Sequence, residues 1–100
     1  MEKHNPTHQK HVCIVVPVYN ESDAVRQFHD RLIGQIANLP YQFSIIYVND
    51  GSTDDTQALL ADIADSDERV SVIELSRNFG HQAALTAGLD AASGDYIITM

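Results

Sequence analysis

The chain has 100 residues, 44% hydrophobic and 20% charged, with a formal net charge of −8. That length allows one domain, able to bury roughly two thirds of the surface its unfolded chain exposes. Seven of the fourteen acids lie between Asp50 and Glu68 with no Lys or Arg among them; such a balance excludes nucleic acid as the main partner, and no apolar run approaches the ~20 residues that cross a bilayer.

Met1 to His11 is polar and histidine-rich, and is expected to be a loosely attached tail. Its His4, His8 and His11 stand without a cysteine or carboxylate framework and read as incidental rather than metal-binding. No signal-peptide pattern opens the chain. The first apolar run, Val12-Cys13-Ile14-Val15-Val16, stops at Pro17. Cys13, the only cysteine, permits no intrachain disulfide and reads as a small core residue in a reducing compartment. Val25, Phe28, Leu32, Ile36 and Leu39 then recur at steps of three and four, predicting an amphipathic helix with Ser22 as N-cap and Asn38-Leu39-Pro40 as its close. His29 reads as lying off that apolar stripe and is expected to be solvated.

A second run, Phe43 to Val48, is β-branched and aromatic, and ends at Asn49-Asp50-Gly51. The next helix is expected near Ser52 or Thr53, where Ser52 and Asp55 have capping-box spacing. Asp54 and Asp55 read as first-turn acids favoured by the helix dipole. Leu59, Leu60, Ile63 and Ala64 form that helix's buried side. A third run, Val70 to Leu75, precedes Gly80 and a helix carrying Ala84, Leu85, Gly88 and Leu89, which ends around Ser93-Gly94. Gly88 is expected to permit close helix–sheet packing. Tyr96 to Met100 forms a fourth strand.

Strands alternating with helices imply an α/β fold with a parallel sheet and helices on both faces. With right-handed crossovers this is a Rossmann-like βαβαβαβ half-domain of strand order 3-2-1-4. Ligands in such sheets bind beyond the carboxyl ends of the strands. The polar clusters Tyr19-Asn20-Glu21, Asn49-Asp50-Gly51-Ser52 and Arg77-Asn78-Phe79-Gly80-His81 all follow strands, whereas the opposite connections read as plain linkers. Residues 17–22 contain neither glycine nor lysine, which excludes a dinucleotide fingerprint and a Walker loop after the first strand. Carboxylates at Glu21 and Asp50 instead suit hydroxyl and N–H donors, such as a ribose and a nucleobase edge. His81 opens its helix at this edge, where capping and ligand contact are both open readings.

Four segments in order carry a specific resemblance: Val16-Pro17-Val18-Tyr19-Asn20-Glu21, Val48-Asn49-Asp50-Gly51-Ser52-Thr53-Asp54-Asp55-Thr56, Ser76-Arg77-Asn78-Phe79-Gly80, and Ala87-Gly88 with Gly94-Asp95-Tyr96-Ile97. Together they resemble the inverting family 2 glycosyltransferases of GT-A fold. The third segment, continued by His81-Gln82-Ala83-Ala84-Leu85, is most similar to the branch that moves a sugar onto polyprenyl or dolichyl phosphate. The resemblance spans residues 12–100. It implies that Pro17, Tyr19, Asn20 and Glu21 border the nucleoside, with Glu21 near the ribose. Asp50 would contact the base, and Gly51 and Ser52 would let the backbone approach it. Arg77, Asn78 and Gly80 would shape the floor near the diphosphate.

The family's metal-binding Asp-x-Asp is expected after Met100, so that residues 12–100 would be the donor-binding portion of a truncated GT-A domain, with no catalytic residue or metal ligand of its own. The resemblance implies an intact enzyme using a UDP- or GDP-type sugar, Mg²⁺ or Mn²⁺, and a lipid-phosphate acceptor at the cytoplasmic face of a membrane. The 100 residues alone are expected to have little activity; a nucleotide-binding module without catalysis is the alternative. The last strand, at a sheet edge, is expected to pair with a second copy.

Overall fold

A computed structural model of the protein describes residues 9–100; the readings made for His4 and His8 lie outside them. The elements follow as β1 (His11–Val18), α1 (Val25–Ile36), β2 (Gln42–Asn49), α2 (Thr56–Ser66), β3 (Val70–Glu74), α3 (His81–Ala91) and β4 (Tyr96–Thr99). The sheet runs β3-β2-β1-β4, and every neighbouring pair is parallel. This is the α/β half-domain and strand order expected from the alternation of apolar runs and amphipathic helices.

The tail ends sooner than the polar composition suggested. His11 begins β1 opposite Gln42, and its ring Nε2 lies 3.0 Å from Ser44 Oγ. Its backbone N–H donates to Asp95 Oδ2 at 2.8 Å, and its carbonyl accepts from the Asp95 N–H. Pairing on both sides draws this polar residue into the strand.

Both faces of the two central strands are covered, which explains their unbroken apolar character. Val12, Ile14, Val16 and Val18 of β1, with Ile45 and Tyr47 of β2, face α1 and α2 and meet Val25, Leu32, Ile36, Leu60 and Ile63. Cys13, Val15, Ile46 and Val48 face the other way and pack with Ala84 of α3. Each large aliphatic side chain buried in this way contributes roughly 1.5–3 kcal/mol. Gly88 brings α3 onto the sheet: a Cβ there would lie 2.4 Å from Val15 Cγ1 and 2.9 Å from Val48 Cγ2.

Three side chains depart from the periodic reading. Leu39 is 48% exposed because α1 stops at Ile36 and the chain turns out of helical phase, with the Leu39 N–H donating to the Ile36 carbonyl. Leu89 is 40% exposed, whereas the fully buried residues of α3 are Ala84 and Gly88, with Leu85 and Ala87 packed beside them. His29 is not solvated; it is 6% exposed. It sits four residues after Val25 and three before Leu32, squarely on the stripe that apolar residues alone define. Its Nδ1 lies 2.7 Å from Tyr47 Oη and its Nε2 3.2 Å from Asp67 Oδ2. Burial, then the nearby carboxylates of Asp67 and Asp30, push the Tyr47 phenol above its ordinary value.

Candidate functional site

All three polar clusters emerge at the carboxyl edge of the sheet, but much of their hydrogen bonding is spent on one another. Asn20 adopts φ 50°, a left-handed conformation that a short amide side chain tolerates. Its N–H donates to Ser52 Oγ at 2.9 Å, and its Oδ1 accepts from the Thr53 N–H at 2.8 Å. The Glu21 N–H donates to Thr56 Oγ1 at 3.0 Å and the Ser22 N–H to Asp54 Oδ2 at 3.2 Å. Asn49 Oδ1 accepts from both the N–H and the hydroxyl of Ser52, while its Nδ2 donates to Gln57 Oε1. Asn20, Ser52 and Asn49 thus stitch the β1–α1 loop to the β2–α2 loop.

That stitching moves the helix starts. Ser22 does not cap α1, whose N-cap is Ala24 without a side-chain cap bond; the Glu21 carbonyl opens the turn by accepting from the Ala24 and Val25 N–H groups, while the Ser22 N–H donates to Asp54. Ser52 and Asp55 form no capping box either. Asp54 caps α2 by accepting from the Thr56 N–H at 2.9 Å and from the Thr56 hydroxyl. The Thr56 hydroxyl first, then the Thr56 amide and the side chain and amide of Ser22, lower the Asp54 carboxyl to about 2. The helices accordingly begin at Val25, Thr56 and His81.

Asp50 follows β2 and is 3% exposed. Its Oδ1 accepts from the Phe79 N–H at 2.8 Å; its Oδ2 accepts from the Gly80 N–H at 3.1 Å and from Asn78 Nδ2 at 3.3 Å. Gly51 adopts φ 69°, and a Cβ there would lie 2.1 Å from the Arg77 carbonyl carbon and 2.3 Å from the Asn78 nitrogen. The backbone that approaches Gly51 is that of the β3–α3 loop. On that loop the Arg77 guanidinium stacks 4.8 Å over the exposed Phe79 ring.

Pro17, Val18, Tyr19, Asp50, Asn78, Gly80 and His81 line a cleft of about 270 Å³. Five of the residues singled out from sequence therefore meet here, joined by Val18 and His81. Val18 carries no polar signal, and His81, for which capping and ligand contact were both open, lines the cleft. Glu21 lines the adjoining hollow instead, with Val16, Pro17, Val18, Ala24, Val25, Phe28 and Met100. Glu21 and Asp50 do not share one cleft; Pro17 and Val18 border both. Asn20, Gly51, Ser52 and Arg77 frame the edge without lining either space. Among the described residues, no three His, Cys, Asp or Glu side chains gather into a group able to hold a metal ion.

The sequence model of Glycosyl transferase family 2 matches residues 13–100. The chain belongs to that family. The bactoprenol glucosyl transferase of Shigella phage SfV is 42% identical over 88 residues, covering 87% of this chain and 28% of that protein. The undecaprenyl-phosphate 4-deoxy-4-formamido-L-arabinose transferase of Proteus mirabilis is 38% identical over 90 residues, 89% of this chain and 28% of that one. Among solved structures, the mannosyltransferase PcManGT of Pyrobaculum calidifontis, in complex with GDP-Man and Mn²⁺, superposes with a TM-score of 0.74 at 24% identity. It is covered to 27%, and this chain to 93%. The chain spans about a quarter of the length of the curated relatives it matches. Membership in the family and the structural neighbours agree on a GT-A-type fold in which these loops rim the carboxyl edge.

Proposed function

We propose that residues 12–100 form the nucleoside-recognition part of a glycosyltransferase that takes its sugar from a UDP- or GDP-type donor and passes it, with inversion, to a polyprenyl-phosphate acceptor. The observation that carries this reading is the pair of adjoining spaces around Pro17 and Val18 at the carboxyl edge, where parallel sheets of this kind bind ligands. Pro17 and Tyr19 supply an apolar and aromatic wall for a base. The exposed Glu21 carboxylate, which takes no hydrogen bond among the described residues, is the acceptor suited to ribose hydroxyls. Asn78, Gly80 and the start of α3 shape the other wall, with Arg77 the nearest cation on that loop. Asn20, Gly51 and Ser52 hold the rim in shape.

The acceptor and donor classes draw support from relatives that act on bactoprenol and undecaprenyl phosphate, and from a neighbour solved with GDP-Man. Mn²⁺ in the same neighbour supports a divalent cation, Mn²⁺ or Mg²⁺, in the whole protein. Among the described residues, no group of three such side chains fits that ion. No described helix is long and apolar enough to cross a membrane; a polyprenyl-phosphate acceptor would place the whole protein at the cytoplasmic membrane face. A second copy adding to the open edge of β4 completes the proposal, with a dimer in light scattering as its test.

Calorimetric titration with UDP, GDP and NAD, with and without Mn²⁺, tests the central reading. Binding to UDP or GDP is expected. Glu21→Ala should weaken it about ten- to hundredfold, the worth of a charge-assisted hydrogen bond of roughly 1.5–3 kcal/mol. Binding to NAD alone would overturn the assignment.

A further inference from the structure

Tyr19 and Glu21 flank a single residue, yet they line different spaces: Tyr19 the cleft with Asp50, and Glu21 the hollow beside Phe28. The residue between them, Asn20, is the one non-glycine with positive φ among the described residues. Its value of 50° is left-handed backbone, which the Cβ of most residues disfavours and a short amide tolerates. Here the amide is also bonded across to the next loop. Asn20 Oδ1 accepts from the Thr53 N–H at 2.8 Å, and the Asn20 N–H donates to Ser52 Oγ at 2.9 Å. The same hydroxyl donates to Asn49 Oδ1 at 2.6 Å; an amide oxygen can only accept, so the Ser52 proton points there and a lone pair is left for Asn20. Asn49 closes β2, is 1% exposed, and donates in turn to Gln57 Oε1 of α2. An exposed turn is thus tied, bond by bond, to the buried end of a central strand.

We propose that Asn20 is a positioning residue for ribose recognition: its left-handed turn, locked through Ser52 to Asn49, sends Tyr19 to the base side and Glu21 to the ribose side of Pro17 and Val18. This inference rests on the nucleoside-binding function proposed above. Asn20 itself lines neither space and acts through Glu21. Without the lock, the backbone at position 20 relaxes toward the regions open to ordinary residues. The chain before it stays anchored, since the Val18 carbonyl accepts from the Asp50 N–H at 2.8 Å. The start of α1 stays seated as well, through the Glu21 and Ser22 amides on Thr56 and Asp54. Only the corner between Tyr19 and Glu21 shifts, so the loss falls on the ribose hydroxyls and not evenly on the nucleotide.

Calorimetry of the chain with UDP and GDP, and with the 2′-deoxy form of each, tests this. The wild type is expected to prefer the ribonucleotide about tenfold or more, the worth of a hydrogen bond to a charged group. Asn20→Ala should bring that preference close to unity although Glu21 is intact, with the affinity for the 2′-deoxy form near its wild-type value. Asn20→Asp keeps both the acceptor for Thr53 and the tolerance for left-handed backbone, and should restore the preference; its added charge lowers both affinities alike. A merely structural tie predicts otherwise: Asn20→Ala would lower the melting temperature, or weaken both forms equally, with the preference kept. Either result overturns the inference, as does an Asn20→Asp chain without the preference. Should Asn20→Ala not fold, Ser52→Ala removes the shared hydroxyl and carries the same readouts; a reduced preference is expected, and an unchanged one overturns the proposal. A wild type that binds UDP or GDP without preferring the ribose form overturns the inference and leaves the nucleotide reading standing. A wild type that binds neither overturns the functional reading itself.

Discussion

Gly88 shows how far a single missing methyl group can set a distance. With Val15 and Val48 methyls 2.4 and 2.9 Å from where its Cβ would stand, α3 can lie on the sheet only because the side chain is a hydrogen. Gly88→Ala is expected to destabilise the chain by about 1–3 kcal/mol, the usual cost of overpacking a dense core, as a lowered urea midpoint with little change in m. Asp67 makes a second prediction at this scale. Its carboxylate is held down to about 2 by the hydrogen bond from Arg69, with the Arg69 amide, the guanidinium charge and His29 adding to it. A depressed folded value means that Asp67 contributes stability above its unfolded value near 3.8, and that this contribution drains away as pH falls from there toward about 2. Asp67→Asn should therefore lower stability at pH 7 and flatten the acid limb of a pH–stability curve. Urea melts at a series of pH values check both. The sequence marked Gly88 correctly, since a glycine near a helix end facing a strand has few other reasons to be there. It could not mark the His29 contact of Asp67, which forms only when α1 docks beside the α2–β3 turn.

At the scale of elements, the helix α1 and the strand β2 are joined by a buried polar pair that periodicity hides. Asp67 can only accept, so His29 Nε2 donates to it; when the ring carries that proton alone, Nδ1 accepts from the Tyr47 hydroxyl 2.7 Å away. Tyr47→Phe removes that donor and leaves a buried ring nitrogen unpaired, at an expected cost of about 1–3 kcal/mol by thermal or urea denaturation. A stripe defined by apolar residues alone leaves out His29 and predicts it solvated, although helical spacing places it between Val25 and Leu32. The loops teach the same lesson in reverse. Ser22, Ser52 and Asp55 have the chemistry of caps, yet the Ser22 N–H and the Ser52 hydroxyl are engaged by the neighbouring loop and Asp55 makes no cap bond. Asp54 and the Glu21 carbonyl take over the capping, and the helices begin later. A local rule weighs only local partners, and here the better partners lie about thirty residues away in sequence, as in the bond from the Asn20 N–H to Ser52.

Across the whole molecule, stability should grade from the centre of the sheet outward. The strands β1 and β2 are buried on both faces, whereas Tyr96, Ile97 and Ile98 of β4 are 54, 45 and 46% exposed. Native-state hydrogen exchange is expected to find the slowest amides in β1 and β2 and to find β4 opening first, because local opening costs least where few apolar contacts are lost. Equal protection across all four strands would contradict this grading.

The sequence by itself determined the alternation of strands and helices, the parallel order β3-β2-β1-β4, and the edge at which polar residues collect. Those follow from patterns with short range: the period of apolar residues, the glycines and prolines that stop them, and the handedness of the crossovers. Only the tertiary structure decided what each polar residue is occupied with. Asn20 and Ser52 are spent on loop-to-loop bonds, and Asp50 accepts from the Asn78–Gly80 backbone. Glu21 is left facing a separate hollow beside Pro17. The reason is physical: a carboxylate or amide bonds to whichever donors lie within about 3 Å, and for these residues the donors come from other loops, brought close only by folding.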